Sequence, residues 1–238
     1  MCTTRLVCLV ALTLAGAGQG LRFSPAPRAG AQTSPALQPG ISVEMAVTSH
    51  AVPVPEADGA EARIVTVTES GELYLGIDRV SVDGLFAAMR TRPHDREQKL
   101  YVKADARATF ARVSTVLQDG RKALFLEAIL LTSQQGRPES GAIVPPMGLE
   151  LWLSTESATP GATVVELLSG QVETEVRINH RRVAWPAVQS TIETIRRDGG
   201  AREVRLKADG RLSFAEVARL IDACRAAGAR VTPVDPEI

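Results

Sequence analysis

Two short stretches of the sequence carry the charged side chains best placed to do chemistry. Each is a lysine and an aspartate separated by one alanine, Lys103 with Asp105 and Lys207 with Asp209. Either pair could contact a partner protein, or its aspartate could act as an acid. A structural role is the stronger interpretation, because an Asp ahead of a helix accepts hydrogen bonds from the first N–H groups of that helix. The four residues are therefore predicted as partner-contact candidates rather than as catalytic residues.

The rest of the sequence carries no recognisable catalytic or metal-binding pattern. It has no zinc-protease, nucleophile-elbow, Walker A or paired-cysteine motif. Three histidines and three cysteines are too few and too scattered for most metal sites or disulfide frameworks. The lone cysteine of the C-terminal part, Cys224, falls on an apolar helical stripe and is predicted to be a core residue. We expect no catalytic residue, no metal and no cofactor.

Charge and aromatic content argue against a nucleic-acid partner. The chain has 27 basic and 27 acidic residues, whereas nucleic-acid binding favours a clustered basic excess. Aromatic residues make up only 4%, too few for a protein built on base stacking. A protein partner is the better expectation.

The N-terminal residues read as a targeting segment. Arg5 precedes the apolar core Leu6–Ala15, and Ala15-Gly16-Ala17 offers a small-x-small cleavage site, so residues 1–17 are predicted to be a signal peptide. The apolar stretch is shorter than the roughly 20 residues of a spanning helix, but an uncleaved inner-membrane anchor is the alternative. Residues 18–40 are rich in Pro, Gly and Ala and are predicted to form a tether. Both alternatives place the remaining chain in the periplasm.

One structural unit occurs twice in the chain. Residues 103–113 recur as 207–217, with seven of the eleven positions identical at a spacing of 104. The first copy is predicted over 41–133 and the second over 148–238. The linker between them, 134–147, is rich in Pro and Gly, so we expect two separately folding domains. The repeat leaves open whether the copies pair within one chain or across a dimer.

Hydrophobic periodicity predicts the same order of elements in both copies. Alternating apolar residues indicate strands, and apolar residues three or four apart indicate helices. In each copy the order is strand, Gly-containing turn, strand, helix, strand, helix, strand. The predicted strands are Ile64–Thr68, Glu72–Ile77, Leu100–Ala104, Ala128–Thr132, Val164–Leu168, Glu173–Ile178, Val204–Ala208 and Arg230–Val234. The predicted fold class is α+β: two tandem two-layer α/β sandwich domains, each a mixed sheet with two helices on one face.

This order of elements resembles the periplasmic domain of the ExbD/TolR biopolymer-transport family. The pieces that carry the resemblance are the run from Ile64 to Leu75, Val102–Asp105 with Phe110 and Val113, the run from Val204 to Val217, and Gly228 before the last strand. The extended segment Ile41–Met45 sits where that family has a segment entering the domain. The resemblance covers residues 41–133 and 148–238. It implies contacts with motor-channel or energy-transducer proteins of the cell envelope, or with peptidoglycan.

The sequence departs from that family in its N-terminal segment. Family members carry a membrane helix with an aspartate that takes part in proton-driven motor work, but Leu6–Leu21 contains no Asp or Glu. The first copy also has Leu124 where the second has Gly228. The resemblance therefore implies a non-enzymatic periplasmic module, present twice and without the energising helix. A secreted scaffold or peptidoglycan-associated protein is the alternative, and an uncharacterised secreted hydrolase is a further one.

Overall fold

The first copy forms a large mixed sheet with two helices. The computed structural model describes residues 40–91, 94–95, 97–134, 145–153, 161–170, 173–200 and 202–234. The strands of the first copy are β1 Val47–Thr48, β2 Val52–Pro53, β3 Arg63–Val67, β4 Leu73–Leu75, β5 Asp78–Val80, β6 Leu100–Ala104, β7 Glu127–Gln134 and β8 Met147–Trp152; the helices are α1 Leu85–Arg90 and α2 Phe110–Lys122. The strand order is β2-β8-β7-β6-β3-β4-β5, and β1 pairs with β7. A 3₁₀ turn, Pro55–Asp58, follows β2.

The second copy forms a five-stranded mixed sheet with two helices. Its strands are β9 Thr163–Leu168, β10 Glu175–Ile178, β11 Arg181–Val183, β12 Glu203–Ala208 and β13 Arg230–Pro233; its helices are α3 Val188–Arg197 and α4 Phe214–Ala226. The order is β11-β10-β9-β12-β13. The predicted signal peptide, the tether up to residue 39 and linker residues 135–144 lie outside the described residues. Within the described part of the chain, no helix has the length and apolar character that crossing a bilayer requires.

The two sheets share one topology, which confirms the predicted α+β fold with two mixed sheets. In the first, β3 is parallel to β6 and antiparallel to β4; in the second, β9 is parallel to β12 and antiparallel to β10. The predicted second strand of the first copy ends at Leu75 rather than Ile77, whereas that of the second copy ends at Ile178 as predicted. In both copies a tight turn then leads into a three-residue strand. The strands β5 and β11 were not predicted, because three residues are too few for an alternating pattern to stand out.

The core runs through both copies without a break. One cluster of buried side chains extends from Ala46 in the first copy to Val231 in the second. Phe214 and Cys224 on α4 belong to it and are completely buried. Burial raises the pKa of the Cys224 thiol to about 12, which suits a packing residue rather than a nucleophile. The copies therefore stabilise each other through shared apolar packing.

Backbone hydrogen bonds join the copies across a pseudo-two-fold axis. The N–H of Phe110 donates to the carbonyl of Leu212, and the N–H of Phe214 donates to the carbonyl of Ala108, both at 2.8 Å. Phe214 lies 104 positions after Phe110, and Leu212 lies 104 positions after Ala108. Because 104 is the spacing of the repeat, the two bonds are equivalent. The next residues repeat this relation, with bonds of 2.9 Å from Ala111 to Gly210 and from Ala215 to Ala106. The two copies thus pair within one chain in the manner of a symmetric dimer.

The strand β8 joins the first sheet, although the sequence analysis places residue 148 at the start of the second copy. It pairs antiparallel with β7 over six residues, from Glu127 opposite Trp152 to Thr132 opposite Met147. Its apolar residues alternate along the strand, and they bury against the first core. The first strand of the second copy is β9. The chain therefore returns to complete the first sheet before it builds the second.

Polar contacts also cross between the halves near β8. Arg225 on α4 donates to the Glu150 carboxylate at 2.7 Å. The Arg121 guanidinium donates to the carbonyls of Leu153, at 2.9 Å, and Pro233, at 2.7 Å. Because Leu153 follows β8 and Pro233 ends β13, Arg121 connects the two sheets. These contacts and the shared core join the two halves that the sequence predicts to fold separately.

Candidate functional site

The two Lys–Asp pairs occupy equivalent places at the ends of β6 and β12. The N–H of Asp105 donates to the carbonyl of Val67 at 2.8 Å, and that of Asp209 donates to the carbonyl of Leu167 at 2.9 Å. Each aspartate therefore continues the pairing of two parallel strands by one residue. Each pair immediately precedes the segment through which its copy joins the other copy. The structure keeps the two pairs on separate sheets.

Neither aspartate caps a helix, so that part of the sequence interpretation is wrong. The residues at the N-caps of α2 and α4 are Thr109 and Ser213, four positions after each aspartate. The Ser213 hydroxyl accepts from the N–H of Glu216, and the Glu216 carboxylate accepts from the N–H of Ser213, which forms a capping box. A turn separates strand from helix in both copies, so neither aspartate stands directly ahead of a helix.

The aspartates instead close that turn together with an arginine two residues later. Asp105 accepts from the backbone N–H of Arg107 at 3.0 Å, and Asp209 accepts from the backbone N–H of Arg211 at 3.0 Å. Each guanidinium folds back onto the same carboxylate. Hydrogen bonds from Arg211 lower the pKa of Asp209 to about 2. Burial opposes ionisation of Asp105, but its hydrogen bonds with Arg107 and Glu44 outweigh that effect and lower its pKa as well.

The surroundings of the two pairs differ, because the N-terminal segment covers only the first. Lys103 Nζ donates to the carbonyl of Ile41 at 2.9 Å. The N–H of Glu44 donates to Asp105 Oδ2 at 3.1 Å, and the carbonyl of Glu44 accepts from the N–H of Ala106 at 2.7 Å. The Asp105 side chain is 6% exposed in consequence. The corresponding side chain of Asp209 is 20% exposed.

The sheet faces that point away from the helices also differ: the first is covered, and the second is open in the part of the chain that the structure describes. A second apolar cluster covers the first sheet on the side away from α1 and α2; it consists of Val54, Ala57, Tyr101, Ile129 and Leu131. The second sheet presents charged residues there, half-buried except for the exposed Arg182. Cross-strand neighbours form the row Lys207, Glu166, Arg177 and Arg182. The strands themselves carry this difference, because the outward positions of β6 and β7 include Tyr101, Ile129 and Leu131, whereas those of β9 and β12 include the charged residues Glu166 and Lys207.

Each of the three histidines contacts one neighbouring side chain. None of the described residues forms a group of three or more His, Cys, Asp or Glu suited to a metal ion. His50 lies 3.2 Å from Asp222, His180 lies 3.3 Å from Glu166, and His94 stacks on a phenylalanine ring. A shallow cavity of about 530 Å³ lies at the β4–β5 hairpin.

We expect Asp105→Asn to destabilise the protein by about 1–3 kcal/mol, because it weakens charge-assisted hydrogen bonds in a buried position. The more exposed Asp209→Asn is the matched control and should cost less than about 1 kcal/mol. The cost should depend on pH. A carboxylate with a lowered pKa stabilises above its ordinary pKa of 3.8, and for Asp209 that contribution is lost as the pH falls to about 2. Urea unfolding of both variants between pH 7 and pH 2 measures this; equal costs at pH 7 would contradict the difference in burial.

Comparison with known proteins adds no relative to these observations. No protein-family model and no curated protein matches the chain. The likeness to the ExbD/TolR family therefore rests on the sequence features quoted above, and it enters the functional argument as a proposal.

Proposed function

We propose that the chain is a non-enzymatic periplasmic module of an energy-coupled biopolymer-transport system, resembling ExbD/TolR. The observation that carries the proposal is the reciprocal pairing of two units with one topology, from Phe110 to Leu212 and from Phe214 to Ala108. This pairing turns two units of the resembled type into one body. Such a body suits a role in holding partners, because its two halves present related surfaces on a single chain.

The state of the titratable groups supports a binding role over an enzymatic one. A general acid or base works best with a pKa near the working pH. Here Asp105, Asp209 and Glu216 have lowered pKa values through hydrogen bonds that outweigh burial, and burial raises that of Cys224. These side chains stabilise turns, a helix cap and the core. Surface arginines and glutamates are better suited to steering a charged partner.

The proposed location follows from the N-terminal sequence. The segment 1–17 exports the chain to the periplasm, or alternatively anchors it in the inner membrane with both copies outside. Because Leu6–Leu21 has no acidic residue, the chain cannot itself carry the proton that drives the family's motor. The energising partners are then motor-channel or energy-transducer proteins, and no cofactor is required. A scaffold bound to peptidoglycan is the second candidate, on the same resemblance.

Crosslinking in intact cells tests the proposal. We expect the wild-type chain to crosslink to inner-membrane channel or transducer proteins, with a weaker yield for the double variant Lys207→Ala, Asp209→Asn. The purified protein should show no hydrolysis of ester, peptide or glycan substrates. Sedimentation with purified peptidoglycan distinguishes the scaffold alternative. Robust hydrolysis by the wild type that disappears in an Asp105→Asn, Asp209→Asn variant would overturn the binding role.

A further inference from the structure

In the first copy, the end of β6 holds an extended segment of the same chain, residues 41–44. Three groups that are close in sequence do this: the ammonium of Lys103, the carboxylate of Asp105 and the backbone N–H of Ala106. They bind the carbonyl of Ile41 and both backbone groups of Glu44. The contacts are mainly to main-chain atoms, so they select an extended backbone more than a particular side chain.

The second copy carries the same three groups at the same place. Lys207, Asp209 and the N–H of Gly210 lie 104 residues after their counterparts, and the strand pairing and the Asp–Arg turn are repeated around them. Among the described residues, none accepts a hydrogen bond from Gly210 N–H or from Lys207 Nζ. Both residues are partly exposed. The three groups are thus present in the second copy, where the backbone N–H of Ser169 hydrogen-bonds to Asp209 and no described segment occupies Lys207 and Gly210.

The stretches on either side of β8, residues 135–144 and 154–160, lie outside the described residues. In the first copy the extended segment lies upstream of β3. Upstream of β9, the corresponding part of the second copy contains β8, whose six residues pair with β7 in the first sheet. Within the described residues, therefore, no segment covers the end of β12 as residues 41–44 cover the end of β6.

We propose that Lys207, Asp209 and Gly210 form a binding site for an extended acidic segment of a partner protein. The segment would place one carbonyl on Lys207, and the N–H and carbonyl of a second residue on Asp209 and Gly210. That second residue is acidic, as Glu44 is. Arg107 lies 3.8 Å from the Glu44 carboxylate, and its counterpart Arg211 has a side chain that is 80% exposed and can receive an acid in the same way. Arg211 stays largely exposed while it is bonded to Asp209, and its guanidinium makes an acidic side chain the complementary occupant.

This inference rests on the proposed binding role and names the kind of contact that the partner makes. A segment of about eight residues buries little surface and loses chain entropy on binding, so we expect a dissociation constant on the order of 0.1 mM. Such weak contacts suit a partner that is already held nearby in the envelope, because a high effective concentration compensates for low affinity.

The test is a titration of the full chain with a synthetic peptide that has the sequence of residues 40–47, followed by amide NMR. We expect saturable shifts at Gly210 and Arg211. Lys207→Ala should weaken binding about threefold or more, and a peptide with Gln in place of the acid should bind similarly weakly. Lys103→Ala is the matched control and should leave the affinity unchanged, since Lys103 is engaged by Ile41.

Three results would overturn the proposal: no shift at Gly210 up to millimolar peptide, shifts at Ala106 instead, or equal affinity for wild type and Lys207→Ala. Peptide binding only after removal of residues 1–39 would also overturn it, because the occupant would then be the chain's own N-terminal segment. The titration uses purified protein, whereas the transport role is tested by crosslinking in cells. Failure of one can therefore be told apart from failure of the other.

Discussion

Residues 145–238, expressed without the first copy, should fail to fold cooperatively. The fragment begins with β8, whose hydrogen-bonding partner β7 would be missing. It also exposes α4 residues that belong to the continuous core, and it leaves the Phe214 N–H without its acceptor at Ala108. Losing an interface of this kind removes apolar burial from a fragment that is already small for independent stability. We expect an aggregating or molten species rather than a native domain.

Circular dichroism and urea unfolding of three samples would measure this effect. They are the full chain, fragment 145–238 and fragment 161–238, which also lacks β8. Co-expression of 40–134 with 145–238 is the control, and it should restore a soluble complex because all pairing partners are then present. Cooperative unfolding of 161–238 alone, with the stability of the full chain, would show that the second copy is an independent domain after all.

Phe214→Ala should lower the free energy of unfolding by about 3–5 kcal/mol, the range for removing a large aromatic side chain from a close-packed core. Phe214 is completely buried and begins α4 at the point where the copies join. Its counterpart Phe110 is 4% exposed, and Phe110→Ala should have a similar cost. A loss of this size is a large part of the unfolding free energy of most domains.

Equilibrium urea unfolding, followed by fluorescence and circular dichroism, gives the measurement. The matched control is Ile77→Ala at an apolar position that is 58% exposed, where the change should stay within about 0.5 kcal/mol. A loss below about 1.5 kcal/mol for Phe214→Ala would mean that the interface between the copies is loosely packed, and it would weaken the argument that the halves depend on each other.

Fusion of two units in one chain permits a difference that a dimer of identical chains cannot have. In a symmetric homodimer the equivalent strand end would be covered in both subunits, or it would be open in both. Here residues 41–44 cover the first, while β8 pairs within the first sheet and no described segment covers the second. The same Lys-Ala-Asp sequence then serves structure in one copy, and we propose that it serves binding in the other.

The sequence by itself determined the repeat and most of the strands and helices. Alternation in runs such as Val204–Ala208, and helical spacing in Phe214–Cys224, reflect burial on one face, which is a local property of the chain. The capping role given to Asp105 and Asp209 failed for a local reason as well. The five residues between strand and helix leave no signature in periodicity, and only the Asp-x-Arg pattern that closes the turn could have indicated them.

Only the tertiary structure decided where β8 belongs and which Lys–Asp pair is open. The alternating residues of β8 require some sheet to bury them, but periodicity does not say which sheet, because pairing partners are distant in sequence. In the same way, Lys103-Ala104-Asp105 and Lys207-Ala208-Asp209 are indistinguishable as sequences. They differ because the chain brings Ile41 and Glu44 to the first and supplies no described segment to the second, and such long-range contacts arise only when the whole chain is folded.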